Sequence, residues 1–143
     1  MIADAHYTPS LEQIDAVLDF LPTFEREDFV PSKVEAPPGQ FPYHVFAEEL
    51  SQFHQVLYDN GFVLSFDWPS WQEEAQRYYE QPELLRTADL QVLRKLITLH
   101  VRKERFCEGH LPAMVKCGHI TAILRRLKEL REASHCSHEG KPA

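Results

Sequence analysis

Residues 88–106 constrain the fold more than any other part of the chain. At about 100° per residue, Leu90, Val92, Leu93, Leu96, Ile97, Leu99, His100 and Val101 cover more than half of a helical circumference. A helix apolar over so wide an arc has to be surrounded by other elements. The spacing predicts a central, most buried helix over about 88–106, opened by Thr87, with further elements packed around it.

The flanking sequence supplies those elements as helices. Leu11, Ile14, Val17, Leu18 and Leu21 recur at three and four residues behind a Ser10-x-x-Gln13 capping box, and Pro22 stops the run. Phe46, Leu50, Phe53 and Leu57 predict a second helix over about 43–59, ended by Asn60-Gly61. Ser70-x-x-Glu73 reads as a second capping box, with Trp71, Ala75 and Tyr78 on one side, broken at Gln81-Pro82. A short helical turn at 111–116 ends at Gly118, and Ile120, Ile123, Leu124, Leu127 and Leu130 mark an amphipathic last helix.

Between the first two helices, Pro22, Pro31, Pro37, Pro38, Pro42 and Gly39 remove donors and forbid helix, so residues 22–42 read as one long irregular loop. Residues 62–66, Phe-Val-Leu-Ser-Phe, are either a buried strand or an extended connector, and the flanking Trp68-Pro69 favours a connector. The expectation is an all-α fold: a compact bundle of five or six helices in one domain over 1–143, with at most one marginal short strand pair and a frayed tail at 134–143.

A length of 143 residues and a 43% hydrophobic share suffice for a packed core and exclude a disordered or collagen-like chain. No run approaches the roughly 18 apolar residues of a membrane span, and the N-terminus has neither the basic nor the apolar region of a signal peptide. Three cysteines, Cys107, Cys117 and Cys136, read as reduced thiols. A cytoplasmic protein with no membrane association is expected. Up to Glu83 there are three basic and 16 acidic residues, and beyond it 12 basic and six acidic, so a net charge of -7 conceals halves of about -13 and +6. Such halves attract each other across a fold, or the basic one meets an anionic partner.

Four constellations carry chemistry. Cys107-x-x-His110 followed by Cys117-x-His119 gathers thiolate and imidazole ligands within 13 residues, with His135, Cys136 and His138 further on. Zinc is the one cofactor this admits, although a single residue between Cys117 and His119 makes both hard to aim at one ion; buried thiols beside surface histidines are the plainer account. Arg94, Arg102 and Arg105 form a basic stripe with Lys95 beside it and His110 near in sequence, and guanidinium forks suit carboxylate or phosphate. Internal pairing with Glu48, Glu49, Asp67, Glu73 or Glu74 is the competing account. A nucleophilic pair of Cys107 or Cys117 with His100, His110 or His119 needs a geometry no spacing reveals. Arg125, Arg126, Lys128 and Arg131 extend the basic character to the last helix, but a pI near 5.6 argues against nucleic acid. No phosphate-loop, dinucleotide, hydrolase or zincin motif is present.

The stretches R-F-C-E-G-H-L at 105–111 and G-H-I-T-A-I-L-R-R-L at 118–127, with F-D-W-P-S-W at 66–71 upstream, resemble a family of uncharacterised bacterial proteins, a domain of unknown function. The pattern is R-F-x-x-G-x-L, six residues, then G-x-I-x-x-I-L-x-x-L, carried by Arg105, Phe106, Gly109, Leu111, Gly118, Ile120 and Leu124. The resemblance implies a bacterial source and transfers no catalytic residue. Three functions remain open: a non-enzymatic module that binds a protein partner or itself; an anion-binding or catalytic site at Arg94, Arg102, Arg105 and His110; and a zinc-stabilised domain using Cys107, His110, Cys117 and His119.

Overall fold

The computed structural model describes residues 2–4 and 6–139, with side chains as far as residue 134. The first helix, α1 (Leu11–Leu18), carries its capping box in full: the Gln13 N–H donates to Ser10 Oγ at 3.2 Å and the Ser10 N–H to Gln13 Oε1 at 2.9 Å. Ile14 and Val17 are buried from it. Pro22 does not begin an irregular loop. It sits in the first turn of a short helix, α2 (Leu21–Glu25), where a missing N–H costs nothing, and Leu21 and Phe24 enter the core.

The larger correction concerns residues 22–46. β1 (Ser32–Glu35) and β2 (Tyr43–Phe46) form an antiparallel hairpin with Ser32 opposite Phe46 and Glu35 opposite Tyr43. The prolines that forbid helix also shape this hairpin: Pro38 and Gly39 are the central residues of a turn closed by the Gln40 N–H on Pro37 O at 3.1 Å, and Gly39 has the φ of 76° that such a turn requires. The helix expected over 43–59 therefore begins only at Glu48, as α3 (Glu48–Asp59), burying Leu50, Phe53 and Leu57. Gly61 ends it at φ 76°, with Phe62 N donating to Leu57 O at 3.0 Å.

Residues 62–64 are buried and form no named strand, so they serve as a connector. A one-residue parallel bridge joins Leu64 to Ala3, through Ala3 N to Val63 O at 2.8 Å and Ser65 N to Ala3 O at 2.9 Å. A 3-10 turn (Trp68–Trp71) leads into α4 (Gln72–Glu80). Ser70 does not cap α4, because its hydroxyl donates to Asp67 Oδ2 at 2.6 Å. Likewise Thr87 turns back onto Leu84 O at 2.9 Å, and Asp89 caps the central helix, α5 (Leu90–Lys103), by accepting from the Val92 N–H at 2.9 Å. α6 (His110–Lys116) and α7 (His119–Glu139) follow, each preceded by a glycine at positive φ. Residues 140–143, the end of the tail expected to fray, lie outside the described residues; α7 itself continues past residue 134.

The molecule is mostly helical, with seven α-helices and one two-stranded sheet among the described residues. α5 is the buried helix its sequence predicts: Leu93, Leu96, Ile97, Leu99 and Val101 are all in the core. α7 packs across α1, α2, α5 and α6 and contributes Ile120, Ile123, Leu124 and Leu127. Among the described residues two ion pairs join the acidic and basic halves, Arg131 to Asp15 at 2.9 Å and Arg125 to Glu25 at 3.0 Å. Both lie at the surface, where solvent and salt screen them, and contribute little to stability. Among the described residues, no helix is long and apolar enough to cross a membrane.

Candidate functional site

The basic stripe expected on α5 is divided by the fold. Arg94 is 2% exposed, its fork turned inward: Nε and Nη2 donate to Gly61 O at 3.0 and 2.7 Å, and Nη1 to Tyr7 O at 2.6 Å. Its donors are occupied by backbone carbonyls, so it holds the fold and is closed to a ligand. Thr98, one turn on, is buried likewise, accepting from the Leu64 N–H at 2.8 Å and lying 2.7 Å from Arg94 O. Arg102 is half-buried with an unpartnered Nε, and Arg105 is exposed; neither joins an ion pair among the described residues, and Glu48, Glu49, Asp67, Glu73 and Glu74 do not serve them. Lys95 lies over the Phe66 and Trp71 rings, 5.7 and 5.8 Å from their centroids.

His110 goes elsewhere. Glu104, at the end of α5, accepts from the Gly109 N–H at 2.8 Å and the Leu111 N–H at 2.7 Å, pinning the turn that starts α6. The φ of 88° at Gly109 turns the chain there, and His110 folds back onto α5. Its Nε2 lies 2.9 Å from Nδ1 of His100. His119, placed by the next glycine turn at the start of α7, meets His100 edge-on at 4.9 Å between centroids and Tyr79 at 5.4 Å. Three imidazoles from α5, α6 and α7 thus form one cluster.

Burial holds all three neutral. His100 is pushed well below the usual histidine range by desolvation, then by His119, His110 and Lys103. His110 is pushed down to about 4 by desolvation and Lys103, and His119 to about 4 by desolvation and His110. The Nε2 atoms of His100 and His119 are buried without a partner. A cavity of about 170 Å³ opens beside His100 and His110, bounded by α4, α5 and α6.

Of the expected zinc set, the structure brings His110 and His119 towards a common neighbour, His100, while Cys107 and Cys117 are exposed. His135, Cys136 and His138 lie where side chains are not described. Among the described residues, no three His, Cys, Asp or Glu side chains are gathered to hold one ion. Among the described residues neither thiol hydrogen-bonds an imidazole; the Cys117 Sγ donates to Met114 O at 3.5 Å. The nucleophilic pairing therefore has no geometry here.

On the other face of α6 runs a groove of about 780 Å³ that sequence reasoning missed. Phe29, Val30, Val34, Pro112, Ala113 and Val115 give it an apolar lining, with Lys33, Lys116 and Arg125 at its edges. Val30 and Val34 are among the most exposed aliphatic side chains of the protein, at 66% and 59%. The groove is built by the hairpin that the proline content concealed, so only a recognised turn at Pro38-Gly39 could have signalled it.

A family model described as a family of unknown function, DUF6508, matches residues 9–133. No curated protein and no solved structure matches the chain.

Proposed function

The chain belongs to the DUF6508 family of unknown function, and from that premise we propose that it is a non-enzymatic interaction module whose groove takes an extended segment of a protein partner, added as a third strand beside β1. The observation that carries this reading is the free edge of β1. Ala47 N donates to Pro31 O at 2.7 Å, which makes that pair hydrogen-bonded; alternation then turns Lys33 and Glu35 towards β2 and the backbone groups of Ser32 and Val34 away from it. The opposite edge follows the same alternation, since the outward N–H of His44 donates to Glu108 Oε1 at 2.8 Å. No hydrogen bond reaches the outward N–H groups of Ser32 and Val34 among the described residues, and both residues line the groove.

An unpaired edge beside an apolar groove suits strand addition, in which backbone hydrogen bonds give affinity and alternate side chains give specificity. The charges of the groove favour a segment that places an acidic residue beside Lys116. Arg26 pairs with Asp28, Arg125 with Glu25 and Lys33 with Glu35, whereas Lys116 and, elsewhere on the lining, Glu27 have no ion-pair partner among the described residues. The same reading takes the protein to work in the reducing cytoplasm of a bacterium, in keeping with the unbridged thiols of Cys107 and Cys117.

The test is selection of displayed random peptides on the full chain. Enriched sequences with alternating apolar residues and at least one acidic residue are expected. Val34→Pro removes an outward donor without touching the β1–β2 ladder and should abolish their binding, and Lys116→Glu should weaken it about tenfold. Peptides that bind the Val34→Pro variant as well as wild type would overturn the reading. A dimer in native mass spectrometry that the same variant dissolves would replace it with self-association.

A further inference from the structure

The surface at the C-terminal end of α5 carries cations that the fold leaves without partners. Arg105 follows Arg102 by one tightened turn, its N–H donating to Arg102 O at 3.2 Å, and residues three apart in such a turn share a side. Phe106 comes next, 79% exposed, with its ring against that of Trp68 at 5.9 Å between centroids. Trp68 opens the 3-10 turn that packs on α5, and two turns earlier on that helix Lys95 lies over the rings of Phe66 and Trp71.

Lys95, Arg102 and Arg105 join no ion pair among the described residues. The carboxylates that adjoin them in the chain are engaged by neutral donors instead. Asp67 accepts from the Ser70 hydroxyl, Glu104 from the Gly109 and Leu111 N–H groups, and Glu108 from the His44 N–H. The Nε of Arg102 is buried with no acceptor. A guanidinium donor without an acceptor and a large ring left in water are both unfavourable in the free chain, and a covering partner relieves both.

We propose that this surface docks an acidic segment of a partner protein, whose carboxylates take the Arg102 and Arg105 guanidinium groups and whose apolar or aromatic side chain covers Phe106 and Trp68. The guanidinium fork matches a carboxylate in two parallel hydrogen bonds, and arginine and tryptophan are the side chains on which binding energy concentrates in protein interfaces. Other occupants fit less well. A second copy meeting this face across a two-fold axis would set the arginines against themselves. A single strand of nucleic acid needs a run of open ring faces, and Lys95 already lies over Phe66 and Trp71. An anionic membrane answers to a polybasic cluster, and here Asp67, Glu104 and Glu108 are interspersed with the cations. The surface is independent of strand addition at β1, since none of Lys95, Arg102, Arg105, Phe106 and Trp68 lines the groove.

Both tryptophans of the chain, Trp68 and Trp71, belong to this surface, so selectively excited tryptophan emission of the full chain reads it directly. The probe is a random copolymer of glutamate and tyrosine, compared with polyglutamate of equal length. A saturable change in emission is expected with the copolymer. Binding should be about tenfold weaker with polyglutamate, and about tenfold weaker in each of Arg105→Gln and Phe106→Ser, whose side chains are exposed. No saturable change with the copolymer, or binding that is unchanged in both variants, would overturn the proposal. Equal affinity for polyglutamate would overturn it too, because the rings would then contribute nothing. Tighter binding of oligothymidylate or of phosphatidylglycerol vesicles would give the surface to nucleic acid or to a membrane instead. Val34→Pro should leave the titration unchanged; loss of the signal in that variant, with Arg105→Gln and Phe106→Ser unaffected, would place the copolymer in the groove and sink this second surface while sparing the first.

Discussion

His100 and His110 face each other across the turn between α5 and α6 with Nδ1 and Nε2 2.9 Å apart, so one of the two nitrogens has to be bare. Two imidazolium ions could not hold this contact. With His119 against the same ring, the cluster is a store of neutral histidine inside the fold.

That neutrality makes stability depend on pH with a definite sign. His110 and His119 titrate near 4 in the folded protein and near 6.5 in the unfolded chain, both lowered first by burial. Between these values the unfolded chain binds more protons, so stability is complete above about pH 6.5 and is lost as pH falls towards 4. Each histidine contributes at most about 1.4 kcal/mol per pH unit. Urea unfolding should show a clearly lower midpoint at pH 5 than at pH 7.5, and His110→Gln should reduce the difference. Equal midpoints at the two pH values would contradict the buried neutral cluster.

Arg94 and Arg102, eight residues apart on α5, should respond to the same substitution with losses of very different size. Arg94→Met leaves Gly61 O and Tyr7 O without their donors and should cost about 2–4 kcal/mol in urea denaturation. Arg102→Met removes a buried Nε that has no partner and should change stability by less than about 1 kcal/mol in either direction. Equal losses at both sites would mean that Arg102 is tied into the fold by contacts other than hydrogen bonds.

Gly109 and Gly118 separate backbone strain from steric contact. Their φ angles are nearly the same, 88° and 90°. A Cβ at Gly118 meets nothing within 4 Å, whereas one at Gly109 meets the His44 ring at 2.8 Å. Gly118→Ala should cost about 1–2 kcal/mol, the left-handed strain alone. Gly109→Ala should cost more, and should also raise hydrogen exchange at the His44 amide as the hairpin is pushed off Glu108. If both variants lose the same stability and the His44 amide stays protected, the hairpin does not rest on this turn.

The longer helices, α1, α3, α4, α5 and α7, were legible because each carries at least two turns of period, whereas α2, five residues around Pro22, was not. The apolar arc of α5 and the Ser10 box of α1 need only local spacing to be recognised, and both stand where the sequence puts them. β1 and β2 are four residues each, too short for alternation to register, and they are separated by the prolines that also argue against helix. The arginines failed for a different reason. Whether Arg94 faces solvent depends on Gly61 and Tyr7, 33 and 87 residues away in sequence, which cover that side of α5. The imidazole cluster is hidden for the same reason: the zinc set named His110 and His119 without His100, because the cluster is assembled by two glycine turns, and a turn's direction is not written in residue types.

α6 is two turns long, and both of its faces are in use. Pro112, Ala113 and Lys116 form a wall of the groove, while His110 and Met114 form a wall of the histidine cavity. So short a rod, pinned at one end by Glu104, cannot tilt on one side only. Any tilt imposed from the groove is a displacement of His110 against His100, and any free energy of that displacement is shared by both sides in equal amount. The helix is a common partition, and the two chambers it divides answer to a single hinge.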